Sequence, residues 1–321
     1  MWQGAQTLQF NAQRRLQHFL SFEGFGLEDI KALFEKAKQH LDGPATPSLS
    51  GKTVGLLFFE PSTRTRASFE LAAKRLGATT LALDIAYSST TKGETLYDTI
   101  ANLCAMRLEL LVIRHPHSGA ALLVANHFHQ QTQVINAGDG RHAHPTQALL
   151  DAFTLFLHRP PLNTLKVAIV GDLLHSRVAR SQLELLQLLQ VPDIRLVGPK
   201  TLVPASFNNK LQGVSIHHDL KTGLDGVDAV LMLRLQKERM QESLLPEPKA
   251  YHRQFGLNAD TLAYAAPDAI VLHPGPINRG IELSSEVADS HRSLLLTQVR
   301  YGVAVRMAVL ESLLLAHALI N

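Results

Sequence analysis

The feature that most constrains the fold of this chain is an alternation between short apolar runs and longer segments with helical periodicity. The apolar runs have the length of buried strands, and Gly or Pro residues interrupt the chain between several of the segments. The predicted strands are Thr53–Phe59, Thr79–Leu83, Glu109–Ile113, Gln133–Asn136, Val167–Gly171, Asp193–Val197, Ala229–Leu233 and Ala269–Leu272. The predicted helices are Leu27–His40, the stretch that ends at Leu76, Glu94–Ala105, Gly119–His127, Pro145–Leu157 and Ser176–Leu189. Strands that alternate with helices predict parallel βα units.

The alternation restarts in the middle of the chain. A length of 321 residues favours two domains, and the breaker cluster His158–Asn163 follows a helical segment near the midpoint. We therefore predict an α/β fold with two doubly wound parallel-sheet lobes, residues 1–150 and 151–294. The apolar segment 295–321 is predicted as a helix that crosses back to the first lobe, because it has too many apolar positions to lie free on one lobe.

Composition excludes several classes of protein. The net charge of +3 is too small to predict nucleic-acid binding, and the Lys and Arg residues form no dense run. One cysteine, Cys104, excludes an internal disulfide and a cysteine-rich zinc site. The first twenty residues have no continuous apolar segment, and charged residues interrupt the apolar C-terminus. We expect a cytoplasmic protein that binds neither nucleic acid nor membrane.

Arginine recurs where the predicted strands end. In doubly wound sheets, ligands bind beyond the carboxyl ends of the strands. Arg64, Arg114, Arg177 and Arg234 all lie at or shortly after such ends. Because guanidinium groups pair with phosphate and carboxylate, this placement predicts small ligands with several negative charges.

The segment Glu60–Arg66 has the composition of a phosphate site without the glycines of a P-loop. Ser62, Thr63 and Thr65 supply hydroxyl donors at a predicted helix start, and Arg64 supplies a cation. Backbone N–H groups at a helix start also favour an anion. The alternative interpretation is a Ser/Thr helix cap with solvated arginines.

Two further residues offer hydrogen bonds after the strand that ends at Asn136. His144 can donate to a carbonyl oxygen, and Gln147 carries both an amide donor and an acceptor.

Motifs for metals and nucleotides fail on inspection. His142–His144 and His127–His129 have metal-ligand spacing, but the chain lacks a cysteine partner or a spaced carboxylate set. Gly51–Thr53 lacks the first glycine of a P-loop, and Val167–Arg177 lacks the G-x-G-x-x-G pattern. We therefore predict no metal and no cofactor.

Taken together, the motifs resemble those of the aspartate and ornithine carbamoyltransferases. Phe59–Arg66 is similar to the carbamoyl-phosphate signature of that family, and His144–Gln147 matches its second motif. Ser88–Glu94 and Leu233–Arg239 resemble the aspartate branch, in its bacterial catalytic chains. The loop that begins at His273 has no cysteine, whereas the corresponding loop of the ornithine enzymes carries one. The stretch His273–Gly280 resembles that of the subgroup whose catalytic chains associate with dihydroorotase or a dihydroorotase-like chain.

The resemblance implies transfer of the carbamoyl group of carbamoyl phosphate to L-aspartate, an early step of pyrimidine synthesis, with no cofactor or metal. The first lobe would bind carbamoyl phosphate and the second aspartate. Catalytic roles would fall on Arg64, Thr65, Lys92, Arg114 and His144. Carbamoyl phosphate would contact Ser62, Thr63, Arg64, Thr65, Ser88, Arg114, His144, Gln147 and Pro276. Aspartate would contact Lys92, Arg177, Arg234, Gln236, Gly275 and Pro276.

The resemblance also implies an assembly. Ser88 and Lys92 match residues that the family supplies from a neighbouring subunit, so a homotrimer with shared sites is expected, with a dihydroorotase-like or regulatory chain as a possible partner. We expect the lobes to close on the substrates, with Glu60 pairing with Arg177 or Arg239 in the closed state. Two alternatives stay open: a carbamoyltransferase for another amino acid such as ornithine, and a non-catalytic anion-binding subunit.

Overall fold

A computed structural model of the chain describes residues 4–44, 46–83, 95–205, 211–235 and 247–317. The chain divides into two compact units. The first unit runs to Leu149 and resumes at Val299, and the second is Leu150–Gln298. None of the described helices is long and apolar enough to cross a membrane.

The first unit contains a parallel sheet of five strands in the order β1-β5-β4-β2-β3. Its strands are β1 (His18–Phe19), β2 (Thr53–Phe58), β3 (Thr79–Leu83), β4 (Leu110–His115) and β5 (Gln133–Asp139). The helices that accompany them are α1 (Ala5–Gln9), α2 (Leu27–Asp42), α3 (Thr63–Arg75), α4 (Leu96–Ala105), α5 (Ala120–Phe128) and α6 (Pro145–His158), the last of which continues into the second unit.

The second unit contains another parallel sheet of five strands, in the order β10-β9-β6-β7-β8. Its strands are β6 (Lys166–Val170), β7 (Asp193–Val197), β8 (Val214–His217), β9 (Ala229–Met232) and β10 (Ile270–Leu272). Its helices are α7 (Arg177–Leu188), α8 (Leu220–Leu224), α9 (Pro248–Phe255), α10 (Ala259–Leu262), α11 (Ser285–Ala288) and a 3₁₀ turn at Leu162–Thr164. The long helix α12 (Leu295–His317) begins in this unit and ends in the first.

The C-terminal part of α12 packs on the first unit, which confirms the predicted crossing. Gln133 on β5 donates to the carbonyl of Leu313 at 3.1 Å, and the guanidinium of Arg306 lies 5.0 Å from the ring centre of Phe69 on α3. Glu311 accepts a hydrogen bond from Ser48 at 2.6 Å. The C-terminal helix therefore contacts β5, α3 and the segment before β2.

Both sheets are doubly wound, as predicted. In each sheet, the side on which the chain adds new strands reverses once, at the first strand of the winding. From β2 the chain adds β3 on one side, and then β4 and β5 on the other. From β6 it adds β7 and β8 on one side, and then β9 and β10 on the other. Ligands of such sheets bind beyond the strand ends at this reversal, so the ends of β2 and β4 and the ends of β6 and β9 are the expected sites.

Candidate active site

The first turn of α3 follows β2 at the reversal point of the first sheet. Ser62 occupies the N-cap position in an extended conformation, but its side chain makes no capping hydrogen bond to the helix. Thr65 is buried, whereas Thr63 and Arg64 are exposed. The Ser62 hydroxyl is therefore not used to cap this helix, and the turn presents a cation at the end of the sheet where anions are expected.

Arg114 lies on β4, directly beside β2. The register between β4 and β5 shifts at Arg114, between Ile113 and His115, and irregularities of this kind re-aim side chains at functional sites. Its Nε is 2.8 Å from Oε1 of Glu60, and its Nη1 donates to the carbonyl of Ala137 at 3.4 Å. Both members of the ion pair are more than four-fifths buried. Glu60 is thus paired within its own unit in this structure, whereas its expected pairing with Arg177 or Arg239 stays a prediction.

A buried carboxylate organises the turn that follows β5. Asp139 is 1% exposed and accepts hydrogen bonds from the backbone N–H of Gly119 and Ala143 and from the side chain of Asn136, at 2.6, 3.1 and 2.9 Å. Gly140 has a φ of +46°, and a Cβ there would lie 2.4 Å from the backbone nitrogen of Ser118. Only glycine fits so close an approach.

The charge of Asp139 is stabilised by the same contacts. Burial alone would raise its pKa, but hydrogen bonds from His142 and Asn136, the charge of His142 and the N–H of Gly119 together lower the pKa below its ordinary value. The carboxylate is therefore ionised at neutral pH and can hold the turn.

The turn leads directly into the second predicted motif. His144 is 4% exposed, and its carbonyl accepts the N–H groups of Gln147 and Ala148, so it stands at the start of α6. Gln147, in the first turn, is 8% exposed. Since β5, β4 and β2 are neighbours in the sheet, the segments that carry His144, Arg114 and Thr65 all leave the same edge of the sheet.

The second unit also has a buried aspartate that holds the turn after a strand, here at the end of β6. Asp172 is fully buried and accepts from both the backbone N–H and the ring Nδ1 of His175, at 3.1 and 2.9 Å. Ser176 caps α7 by accepting from the N–H of Ala179 at 3.1 Å. Arg177, the first residue of that helix, is 3% exposed.

Arg234 follows β9, which is the strand beside β6. It is half-buried and lies at the reversal point of the second sheet. Gly171, with a φ of +129°, allows the two strand ends to meet, because a Cβ there would lie 3.0 Å from the carbonyl oxygen of Leu233. Both units therefore carry an arginine at the end of the strand that follows the reversal: Arg114 lies within β4, and Arg234 lies two residues after β9.

The loop after β10 carries the remaining candidates of the second unit. Gly275 is half-buried and Pro276 is exposed, and the peptide bond between them is cis. The N–H of Gly275 donates to Nδ1 of His273 at 2.8 Å. Ser88, Lys92 and Gln236 lie outside the described residues, as does Arg239.

Several organising residues were not predicted from the sequence. Asp139, Asp172 and Glu282 are fully or almost fully buried carboxylates that hold site loops in place. A signal existed for the first two, since each is an aspartate at or just after the end of a strand and next to a glycine. Within the described ranges, no group of three or more His, Cys, Asp or Glu residues could hold a metal ion. His142 instead lies 3.0 Å from Asp139.

Two doubly wound units with arginines at both reversal points define a two-domain α/β protein whose strand ends suit small anions. The sequence matches the model of the aspartate/ornithine carbamoyltransferase carbamoyl-P binding domain over residues 17–156. It matches the model of the Asp/Orn binding domain of the same family over residues 163–313. The chain belongs to the aspartate/ornithine carbamoyltransferase family.

Solved structures resemble the chain over nearly its whole length. Aspartate transcarbamoylase from Trypanosoma cruzi, in complex with carbamoyl aspartate and phosphate, is 34% identical with a TM-score of 0.82, covering 92% of this chain and 95% of that one. The same enzyme with N-(phosphonacetyl)-L-aspartic acid is 33% identical with a TM-score of 0.84, covering 95% and 98%. The catalytic subunit of M. jannaschii aspartate transcarbamoylase is 32% identical with a TM-score of 0.81, covering 94% and 99%.

Proposed function

We propose that this chain is an aspartate carbamoyltransferase, which transfers the carbamoyl group of carbamoyl phosphate to the amine of L-aspartate. The products are N-carbamoyl-L-aspartate and phosphate, and the reaction serves the de novo synthesis of pyrimidines. Family membership supports this reaction, as do the T. cruzi relatives, which were solved with carbamoyl phosphate and aspartate together and with carbamoyl aspartate and phosphate.

The observation that carries the proposal is the first turn of α3. A serine at the N-cap does not cap its helix and is followed by an exposed arginine, and this turn comes after β2, the neighbour of the strand that carries Arg114. These donors suit a phosphate. We assign the phosphate to Ser62, Thr63, Arg64, Thr65 and Arg114, together with Ser88.

The carbamoyl group needs donors at its oxygen and acceptors at its NH₂. Thr65, Arg114 and His144 are assigned to the oxygen, and Gln147 and the backbone near Pro276 to the NH₂. The neutral amine of aspartate attacks the carbamoyl carbon, negative charge gathers on the oxygen, and phosphate leaves. Preorganised donors at such an oxygen are worth about 10²–10³ in rate each.

The aspartate carboxylates need cations. We assign Arg177 to the α-carboxylate, and Arg234 and Gln236 to the side-chain carboxylate, with Lys92, Gly275 and Pro276 completing the contacts. The assignment of Arg234 favours an acidic acceptor over a basic one, because a cationic side chain such as that of ornithine would meet a guanidinium instead of a carboxylate.

The test is a comparison of acceptors. The purified chain is supplied with carbamoyl phosphate and either L-aspartate or L-ornithine, and both the carbamoyl product and released phosphate are measured. We expect one phosphate for each carbamoyl aspartate, and no product with ornithine. Product with ornithine alone would identify the other branch of the family, and no product with either would indicate a non-catalytic subunit.

The assembly follows from the same proposal. Ser88 and Lys92 are assigned to the site of a neighbouring subunit, so the active form is a homotrimer in the cytoplasm of a bacterium, and its proposed partner is a dihydroorotase-like or regulatory chain. Sedimentation of the purified chain tests the trimer. Mixing Ser88→Ala chains with Arg64→Ala chains tests the shared site, because mixed trimers should regain activity that neither variant has alone.

A further inference from the structure

The loop from His273 to Asn278 is held at both ends by one buried carboxylate. Glu282 is fully buried. Its Oε1 accepts the backbone N–H of Asn278 at 2.5 Å, and its Oε2 accepts the side-chain amide of Asn278 at 3.2 Å. The same Oε1 lies 3.4 Å from Nε2 of His273. The two residues that bracket Gly275 and Pro276 therefore converge on a single side chain.

The ring of His273 connects Glu282 to the backbone of the loop. Its Nδ1 accepts the N–H of Gly275 at 2.8 Å, so in the neutral ring the proton lies on Nε2, which faces Glu282. The backbone N–H of His273 donates to Oε1 of Gln298 at 2.9 Å, which fixes the start of the loop independently. At the end of the loop the carbonyl of Asn278 accepts the N–H of Ile281 at 3.0 Å, whereas its backbone N–H and its side-chain amide both donate to Glu282.

The contrast in exposure along the loop fits this arrangement. His273 is 3% exposed at the start, whereas Pro276 is exposed at the tip. A tip that must hold a ligand with backbone groups needs rigid ends, because a displacement of about 1 Å can cost roughly 10²-fold in rate. Surface contacts alone would not fix it, since the ion pair of Arg279 with Asp289 next to the loop is solvent-exposed.

From this geometry we propose that Glu282 is the positioning residue that holds Gly275 and Pro276 in the conformation that binds substrate. This inference rests on the proposed carbamoyl transfer. Glu282 itself touches no substrate. Its carboxylate sets the position of Asn278 and the orientation of His273, and these two residues set the backbone between them.

The test compares Glu282→Ala, Glu282→Gln and a control, Asp289→Asn, in steady-state kinetics of carbamoyl transfer. Glu282→Ala should raise KM for both substrates about 10-fold and lower kcat/KM roughly 10²-fold. Glu282→Gln keeps an acceptor for the Asn278 N–H and should recover most of the loss. The control breaks an exposed ion pair in the same segment and should stay within about 2-fold of the wild type.

The KM separates positioning from a merely structural role. A fold that is only weakened lowers the amount of active enzyme and so lowers the apparent kcat while KM is unchanged. An unchanged KM in folded Glu282→Ala overturns the proposal. Where that variant does not fold, Glu282→Asp replaces it, since a carboxylate that is one methylene shorter should still raise KM, and an unchanged KM again overturns the proposal.

A second readout keeps the two proposals apart. Amide hydrogen exchange at Gly275 and Asn278 should become faster in Glu282→Ala than in the wild type, with other amides of the second unit unchanged. A wild-type chain that makes no carbamoyl aspartate contradicts the proposed function, while faster exchange would still support the anchoring. Equal exchange in an active enzyme contradicts the anchoring alone.

Discussion

The starts of α3 and α7 differ in how they use a similar sequence. Each helix follows the strand from which its sheet is wound, and each has a serine at its N-cap. Ser176 accepts the N–H of Ala179 and so caps α7, whereas the side chain of Ser62 makes no such bond to α3. Arg177 is buried, whereas Arg64 is exposed.

The N-cap serine hydroxyl therefore has a different role at each helix start. A capping serine satisfies one of the N–H groups that every helix start leaves without a partner. At α7 the fold uses its own hydroxyl for this purpose. At α3 the hydroxyl is not used in this way, so it can serve a phosphate instead. The comparison therefore favours an anion site at α3 over the alternative of a Ser/Thr cap with solvated arginines.

The largest expected effect concerns the exposed arginine of the α3 first turn. Arg64→Ala should lower kcat by about 10²–10³, because it removes a charged donor from the proposed phosphate site. The matched control is Arg180→Ala, which removes an exposed arginine from the first turn of α7 and should stay within about 2-fold. Steady-state kinetics of the two variants measure both kcat values. Near-normal turnover in Arg64→Ala would contradict the assignment of Arg64 to the phosphate.

A smaller effect concerns the stability of the two helix starts. Ser176→Ala should cost about 1 kcal/mol, since it removes a cap, and so lower the Tm by roughly 2–4 °C. Ser62→Ala removes no capping bond and should leave the Tm within about 1 °C. Scanning calorimetry measures both. Equal losses in the two variants would mean that Ser62 also stabilises its helix.

The smallest effect is a pH dependence at His115, next to Arg114 at the end of β4 in the first sheet. Burial lowers the pKa of His115, and the charge of His117 lowers it further. The unfolded chain therefore binds this proton more readily. The stability from His115 is fully present above the ordinary pKa of 6.5 and is lost as the pH falls through the folded pKa.

His115→Gln should accordingly reduce the fall in Tm between about pH 7 and pH 5.5. The rest of the slope should persist, because His158 and His217 in the second unit also have pKa values that burial lowers. Thermal melts of wild type and variant across this range test the sign. Parallel plots of Tm against pH for the two proteins would show that His115 contributes nothing to the pH dependence of stability.

The architecture could be predicted because the strands of a parallel sheet are buried on both faces and so appear as continuous apolar runs. All eight predicted strands are present. β1 and β8 were missed for physical reasons. His18–Phe19 has two residues, too few for a pattern, and Val214–His217 lies at the edge of its sheet and is mostly half-buried.

The candidate site could be predicted only where its residues lie together in the chain. Ser62–Thr65 and His144–Gln147 are local motifs, so the sequence contains their whole pattern. The carboxylates that hold the loops cannot be recognised in this way. Asp139 acts through Gly119, twenty residues earlier, and the pairing of Glu60 with Arg114 depends on two strands being neighbours in the sheet.

The decisive test of a phosphate site at the start of α3 is the dissociation constant of inorganic phosphate, measured by isothermal titration calorimetry on Ser62→Ala and on Ser176→Ala. We expect about 10-fold weaker binding in Ser62→Ala, since a hydrogen bond to a charged group is lost, and wild-type binding in Ser176→Ala. Wild-type affinity in a folded Ser62→Ala chain would contradict the claim that the start of α3 is the phosphate site.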